Sequence, residues 1–318
     1  MIPFFAGAET QLYISPAGDD SRSGEKNSPL ATLEGARSKV REQIAKGLSA
    51  PVTVFIRGGE YEMTKTVVFS PEDSGTKAFP ITYQAYEEET PVFTGGKKIT
   101  GWKPVVKDPK GVSTAAKGKL LVWEMPAELK GKWQITSLYN NNRLMPRAES
   151  PAYRVPESHQ QDIANAQPKD LRGFASENKI DLLNYKGAPV VFRRDFTFGN
   201  VDLKGWDNVR DIELVMSPKH GWLINILPLE SIDVAKKTAL FTVEPTYGIR
   251  PGNRYTVQNA IDFLDAPGEW VFNSLEGRIY YWPEKPLEES DIRAPLLQEF
   301  IRIDGVEDQA PVRHLTFK

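Results

Sequence analysis

The side chains that could do chemistry are few. Asp262, Asp265 and Glu269 form the tightest group of carboxylates, and two carboxyls facing one bond can share acid and base or nucleophile roles. Here, however, Asp265-Ala266-Pro267-Gly268 has Asp at the first and Gly at the last position of a turn, which predicts that Glu269 anchors the turn rather than reacts. Arg143 and Arg147 flank an Asn-rich stretch; they could form a fork for an acidic group, but an ion pair with Glu149 is the expected use. Seven tryptophans offer flat faces. Trp123, Trp270 and Trp282 lie inside strand patterns and belong to the core, while Trp222, just after His220-Gly221, is the candidate for an exposed platform, with His220 as a hydroxyl donor beside it. Asp19, Asp20 and Ser21 lack the alternating ligands and final bidentate Glu of a calcium loop, so turn capping is expected of them. The three histidines, His159, His220 and His314, are too widely spaced for a local metal motif.

The totals narrow the field. With no cysteine the chain forms no disulfide, thiolate zinc site or cysteine nucleophile. A net charge of −2 leaves no basic excess to neutralise a phosphate backbone, so nucleic acid is not an expected partner. Neither glycine-rich nucleotide-binding pattern occurs, and no metal or cofactor is expected. No apolar run approaches the roughly 20 residues of a membrane-spanning helix. Residues 1–11 begin Met1-Ile2-Pro3-Phe4-Phe5 and continue Ala6-Gly7-Ala8. The small-x-small tripeptide resembles a signal-peptidase site behind an apolar stretch shorter than the usual 7–15 or so residues; an ordinary N-terminus is the alternative, and the preference for export comes mostly from the resemblance given below.

The elements that would position these groups fall into two styles. In residues 12–96, Leu33, Ala36, Val40 and Ile44 recur at helical spacing ahead of Gly47, predicting a helix over 32–46. Short β runs surround it at 12–15, 52–56, 66–69, 81–85 and 91–96, with turns too short for crossover helices. The first and third runs after the helix lie about 29 residues apart and the second and fourth about 25, within the 20–45 or so of stacked repeats, so coils are favoured over hairpins, with the helix covering the first coil. Residues 97–295 instead carry strand signals at 120–124, 133–138, 190–193, 212–216, 224–227, 240–243, 270–273 and 279–282, with one short helix at 260–264; strands without helices predict a β-sandwich. Residues 296–318 resume the first style with runs at 300–305 and 312–317. Stacked coils need several repeats and two caps, so further coils are expected after Lys318, and a bare coil end could pair with a second copy.

Several stretches carry a resemblance. Tyr13-Ile14-Ser15-Pro16-Ala17-Gly18-Asp19-Asp20, Ser28-Pro29-Leu30-Ala31-Thr32-Leu33 and Phe55-Ile56-Arg57-Gly58-Gly59-Glu60-Tyr61 resemble the start of secreted right-handed β-helix carbohydrate-active proteins. Leu138-Tyr139-Asn140-Asn141-Asn142-Arg143, Tyr255-Thr256-Val257-Gln258-Asn259-Ala260 with Phe263–Trp270, and Gly277-Arg278-Ile279-Tyr280-Tyr281-Trp282-Pro283 narrow it to glycoside hydrolase family 141, whose known activities include α-L-fucosidase and endo-xylanase. The resemblance implies a mainly β fold: the start of a right-handed parallel β-helix with an N-terminal capping helix and an inserted β-sandwich, the catalytic carboxylates lying on later coils. It implies a bacterial secreted, periplasmic or cell-surface protein acting on fucosyl- or xylosyl-containing polysaccharide, with Trp222, His220, Arg143 and Arg147 as the candidate sugar contacts in this chain. A non-catalytic carbohydrate-binding module and a polysaccharide lyase are the alternatives, since fold alone does not fix function.

Overall fold

The computed structural model describes residues 9–159, 194–199, 203–218, 221–307 and 309–318. The strand expected at 190–193, the leader-like residues 1–8 and His220 fall outside that set. The protein is mainly β, and its one described α-helix is α1 (Leu33–Lys46). Two compact units are formed, one from residues 1–97 with 295–318, the other from 98–294.

The first unit is built on parallel ladders. Strands β1 (Thr10–Ile14), β2 (Val52–Ile56) and β5 (Ile81–Ala85) pair in parallel in that order, and Leu315–Phe317 adds to β5. The spacing of about 29 residues read from sequence is the register itself, Val52 opposite Ile81. The companion spacing of about 25 is not used. Instead β4 (Val67–Phe69) pairs in parallel with Ile301–Ile303, and β6 (Pro91–Thr94) with β3 (Gly59–Glu62). The Gly-Glu-Tyr-Glu sequence of β3 carries no β-branched residue, so it had read as a turn.

Parallel in-register pairing puts residues of one column about 4.8 Å apart along the stack. The aromatic pairs follow: Tyr13 on Phe55 at 5.2 Å, Tyr61 on Phe93 at 5.0 Å, Tyr83 on Phe317 at 5.2 Å between ring centroids. Leu12, Ile14, Val52, Val54, Ile56, Ile81 and Tyr83 fill the core between them, closed by Leu33, Ala36 and Val40 of α1.

The start of α1 explains the acidic pair at 19–20. The Thr32 hydroxyl accepts from the Gly35 N–H as N-cap and donates to Asp20 Oδ2 at 2.6 Å, while Asp20 Oδ1 accepts from the Ala31 and Thr32 N–H groups. A Cβ at position 35 would stand 2.1 Å from Asp20 Oδ1, so any larger residue would push the Asp20 carboxylate off the bonds it makes here. Asp19 Oδ1 accepts from both the backbone N–H and the hydroxyl of Ser21. Both carboxylates are thus spent on capping.

The second unit is antiparallel in its sheets. One is six-stranded, in the order Tyr153–Arg154, Arg254–Gln258, Glu213–Met216, Asn225–Asp233, Thr238–Phe241, Asp195–Thr197. Another runs Trp270–Asn273, Arg278–Tyr281, Leu121–Glu124, Lys103–Pro104. Each rests on its own apolar cluster, the first including Phe196, Leu214, Leu229 and Tyr255, the second Trp123, Trp270, Phe272 and Ile279. Two expectations are corrected here. Residues 133–138 are not a strand: Trp133, Ile135 and Leu138 are buried, but their backbone joins no ladder, because alternating burial alone does not require a neighbouring strand. The helix expected at 260–264 is a single 3-10 turn, Ile261–Phe263.

Candidate functional site

The residues singled out from sequence meet different fates. Arg143 sits on a tight hairpin, Tyr139–Asn140 against Arg143–Leu144, whose two turn residues Asn141 and Asn142 have φ of 49° and 62°. Asparagine tolerates that left-handed conformation, which a two-residue hairpin of this hand demands. The Arg143 side chain is exposed and borders a pocket of about 280 Å³ with Asn140, Asn141, Tyr281, Glu284 and Lys285. Arg147 does not line that pocket. It is nearly buried, ion-paired to Glu213, with its guanidinium 5.6 Å from the Trp270 ring centroid. The ion-pair reading was therefore right in kind for Arg147 and wrong in partner: Glu213, at the start of the strand Glu213–Met216, takes the place expected for Glu149.

Trp270 is fully buried and Trp123 nearly so, while Trp222 is 79% exposed. Trp222 sits in a turn, and beyond it Ile224 and Ile226 are exposed at alternate positions on the way into the strand Asn225–Asp233.

Glu269 anchors its turn as expected. Its Oε2 accepts from the Asp265 N–H at 2.9 Å and the Ala266 N–H at 3.0 Å. Burial pushes its carboxyl above the ordinary 4.5, with the charges of Asp265 and Glu149 adding to the rise and the two backbone donors opposing it. The native state then holds this proton more tightly than the unfolded chain does. The side chain's contribution is complete below the ordinary value and is lost as pH climbs through the raised one. Glu269→Gln should therefore gain stability relative to the parent as pH rises from about 4.5 to neutrality. Urea midpoints of the two proteins measured across that range check this; a difference that does not change with pH contradicts it.

A cavity of about 380 Å³ lies elsewhere in the second unit. Three stretches far apart in sequence form it: 109–111, 204–208 and 259–280. Asp262, on the 3-10 turn, holds them together. Its Oδ1 is ion-paired to Lys204, its Oδ2 accepts from the Trp206 indole N–H at 2.6 Å, and a Cβ at Gly111 would stand 3.4 Å from Oδ1. Across the cavity the hairpin loop carries Asn273 and Glu276, tied by a 3.0 Å bond from the Asn273 amide, and Tyr280 donates to Glu276 Oε2 at 2.5 Å. Burial, reinforced by Glu276, pushes the Tyr280 hydroxyl up to about 12, so it stays protonated. The sequence had grouped Asp262 with the nearby carboxylates Asp265 and Glu269; its partners Lys204 and Trp206 are more than fifty residues away, and no local pattern marks them.

The arrangement offers an aromatic wall, amides and carboxylates, but not a hydrolytic pair of the usual kind. Such a pair keeps one carboxyl protonated opposite an ionised one across the scissile bond. The carboxyl that is pushed up, Glu269, serves a turn, and Asp262 is matched to a lysine. Among the described residues no group of three acidic or imidazole side chains could hold a metal ion, and no helix is long and apolar enough to cross a membrane.

No family model matches the chain. Over 89 residues it is 38% identical to the uncharacterized protein YwoF of Bacillus subtilis, which covers 28% of this chain and 16% of that protein. Over 98 residues it is 30% identical to the pectate lyase PEL9 of Emericella nidulans, covering 31% of this chain and 21% of that one. A solved glycoside hydrolase matches 97% of this chain and 49% of its own with a TM-score of 0.67 at 23% identity. The chain thus spans about a fifth or less of these curated relatives and half of that structure, and the likeness to the latter is one of fold.

Proposed function

We propose that the chain is the N-terminal portion of a secreted glycoside hydrolase acting on fucosyl- or xylosyl-containing polysaccharide, with its catalytic carboxylates outside these 318 residues. In this reading the parallel ladders are the first coils of a right-handed β-helix, α1 is its cap, and residues 97–295 are an inserted β-sandwich. The observation that carries the reading is the architecture: in-register parallel ladders formed by residues before 97 and after 295, with an antiparallel unit between them in sequence. The family resemblance predicts that order, and the fold likeness to a glycoside hydrolase over nearly the whole chain supports it.

The glycan contacts proposed for this portion are the exposed face of Trp222, with His220 two positions before it in sequence, and the pocket beside Arg143. The local match to a pectate lyase favours a second reading, a polysaccharide lyase. Retardation of the chain in native gels containing xylan or fucosylated glycan, together with assays for new reducing ends and for unsaturated uronate, separates the readings. Retardation without either product is expected of this portion alone.

A further inference from the structure

We propose that the cavity organised by Asp262 is a binding site for one or two rings of a neutral sugar, separate from the contacts assigned above. The proposal rests on the reading of the chain as glycan-active and adds a site and a ligand class to it. At about 380 Å³ the cavity is at the small end of ligand sites, which run from roughly 300 to 1,000 Å³. It is concave, and its walls come from three separate stretches of chain.

The polar groups are arranged for hydroxyls. The indole N–H of Trp206 is already bonded to Asp262, so what the ring has left to offer a ligand is its π face, which suits the C–H side of a pyranose. Asp262 receives two donors, and an ionised carboxylate has about four acceptor positions, which leaves room for sugar hydroxyls. The amides of Asn208 and Asn273 already bond Asp211 and Glu276, and each keeps a second N–H and an oxygen lone pair along the same lining. Because Lys204 and the indole both hold Asp262, the site is ordered before a ligand arrives, and little is lost in ordering it on binding.

Charge selects the class. Two amines, Lys110 and Lys204, face three carboxylates, Asp207, Asp262 and Glu276, and Lys204 is already committed. A uronate or sulfated sugar would add an anion with no cationic excess to receive it and no arginine fork along the lining. A neutral sugar meets no such penalty. The site therefore favours the neutral portions of a glycan over a polyuronate.

Saturation-transfer NMR titrations of the full chain with methyl xyloside, methyl L-fucoside and galacturonate test this, using the parent, Trp206→Phe, Asp262→Asn and Val92→Ala. At least one neutral glycoside should bind, and Trp206→Phe and Asp262→Asn should each weaken it by about ten-fold. Val92→Ala, at an exposed position outside the cavity lining, should leave its affinity unchanged, and galacturonate should bind at least ten-fold more weakly by the same reckoning. Leu275→Arg, on the exposed rim, keeps the test alive if both cavity variants melt early; it should block binding without touching the core. Equal affinity in parent and folded cavity variants overturns the site, and equal binding of galacturonate overturns the ligand class. If no glycoside binds while xylan or fucosylated glycan still retards the chain, the inference falls and the glycan reading survives; if neither binds, both fall.

Discussion

Asn259→Ala is expected to cost the second unit about 3–5 kcal/mol, the sum of several buried groups left unpaired at 1–3 kcal/mol each. Asn259 is 1% exposed and has φ of 67°. Its amide nitrogen donates to the carbonyls of Asp211 and Phe272, both at 2.8 Å, and its Oδ1 accepts from the Phe272 N–H, also at 2.8 Å. Phe272 lies on Trp270–Asn273, the outermost strand of its sheet, so the side-chain amide supplies the bonds a further strand would have made. Alanine removes the partner of all three groups and adds strain at positive φ. For a unit of this size the midpoint temperature should fall by about 10 °C. Asn259→Gly separates the causes, since it accepts the backbone conformation but has no amide. Calorimetry should find the glycine variant nearly as damaged as the alanine variant; a glycine variant within about 1 kcal/mol of the parent would mean that the bonds are worth less than unpaired buried groups cost.

Arg41→Ala should be the second most damaging change, costing the first unit about 2–4 kcal/mol, less than the 3–5 typical of a fully buried pair because Arg41 is partly exposed. Asp73 is 1% exposed, and Arg41 reaches it from α1 with two bonds, 2.6 Å to Oδ1 and 2.7 Å to Oδ2. The same guanidinium bonds the Ser70 hydroxyl, and Asp73 Oδ2 also accepts from the Ser70 N–H. The pair thus ties α1 to the turn Pro71–Asp73. Removing the arginine strands a desolvated carboxylate, whereas Arg41→Met with Asp73→Asn removes both charges and keeps much of the packing. Denaturant melts should rank the double variant above Arg41→Ala. The reverse order would place the energy in the arginine stem rather than in the charge pair.

What was legible in the sequence follows a physical division. α1 could be read to within a residue because its apolar spacing and Gly47 are local; Thr32, read as its first residue, is its N-cap. Strands β2 and β5 could be read because each is a short apolar run, and their spacing announced the register. Pairing between the ends of the chain, β4 with Ile301–Ile303, leaves no local mark. Strand β3 was hidden by its Gly and Glu residues, and 133–138 showed the burial pattern of a strand without its hydrogen bonds. At the candidate sites the pattern repeats. The Glu269 turn is a local motif and was legible, as was the exposure of Trp222. The partner of Arg147 and the Asp262 cavity depend on strands and loops brought together from distant stretches, which no spacing rule reports.

The measurement that bears most directly on the account is the migration of the purified 318-residue chain through native gels containing arabinoxylan, fucosylated xyloglucan, polygalacturonate or no polysaccharide. Retardation by a neutral glycan and free migration in polygalacturonate is the result predicted. Free migration in all four would contradict a glycan-binding role, and retardation by polygalacturonate alone would move the account to the lyase reading.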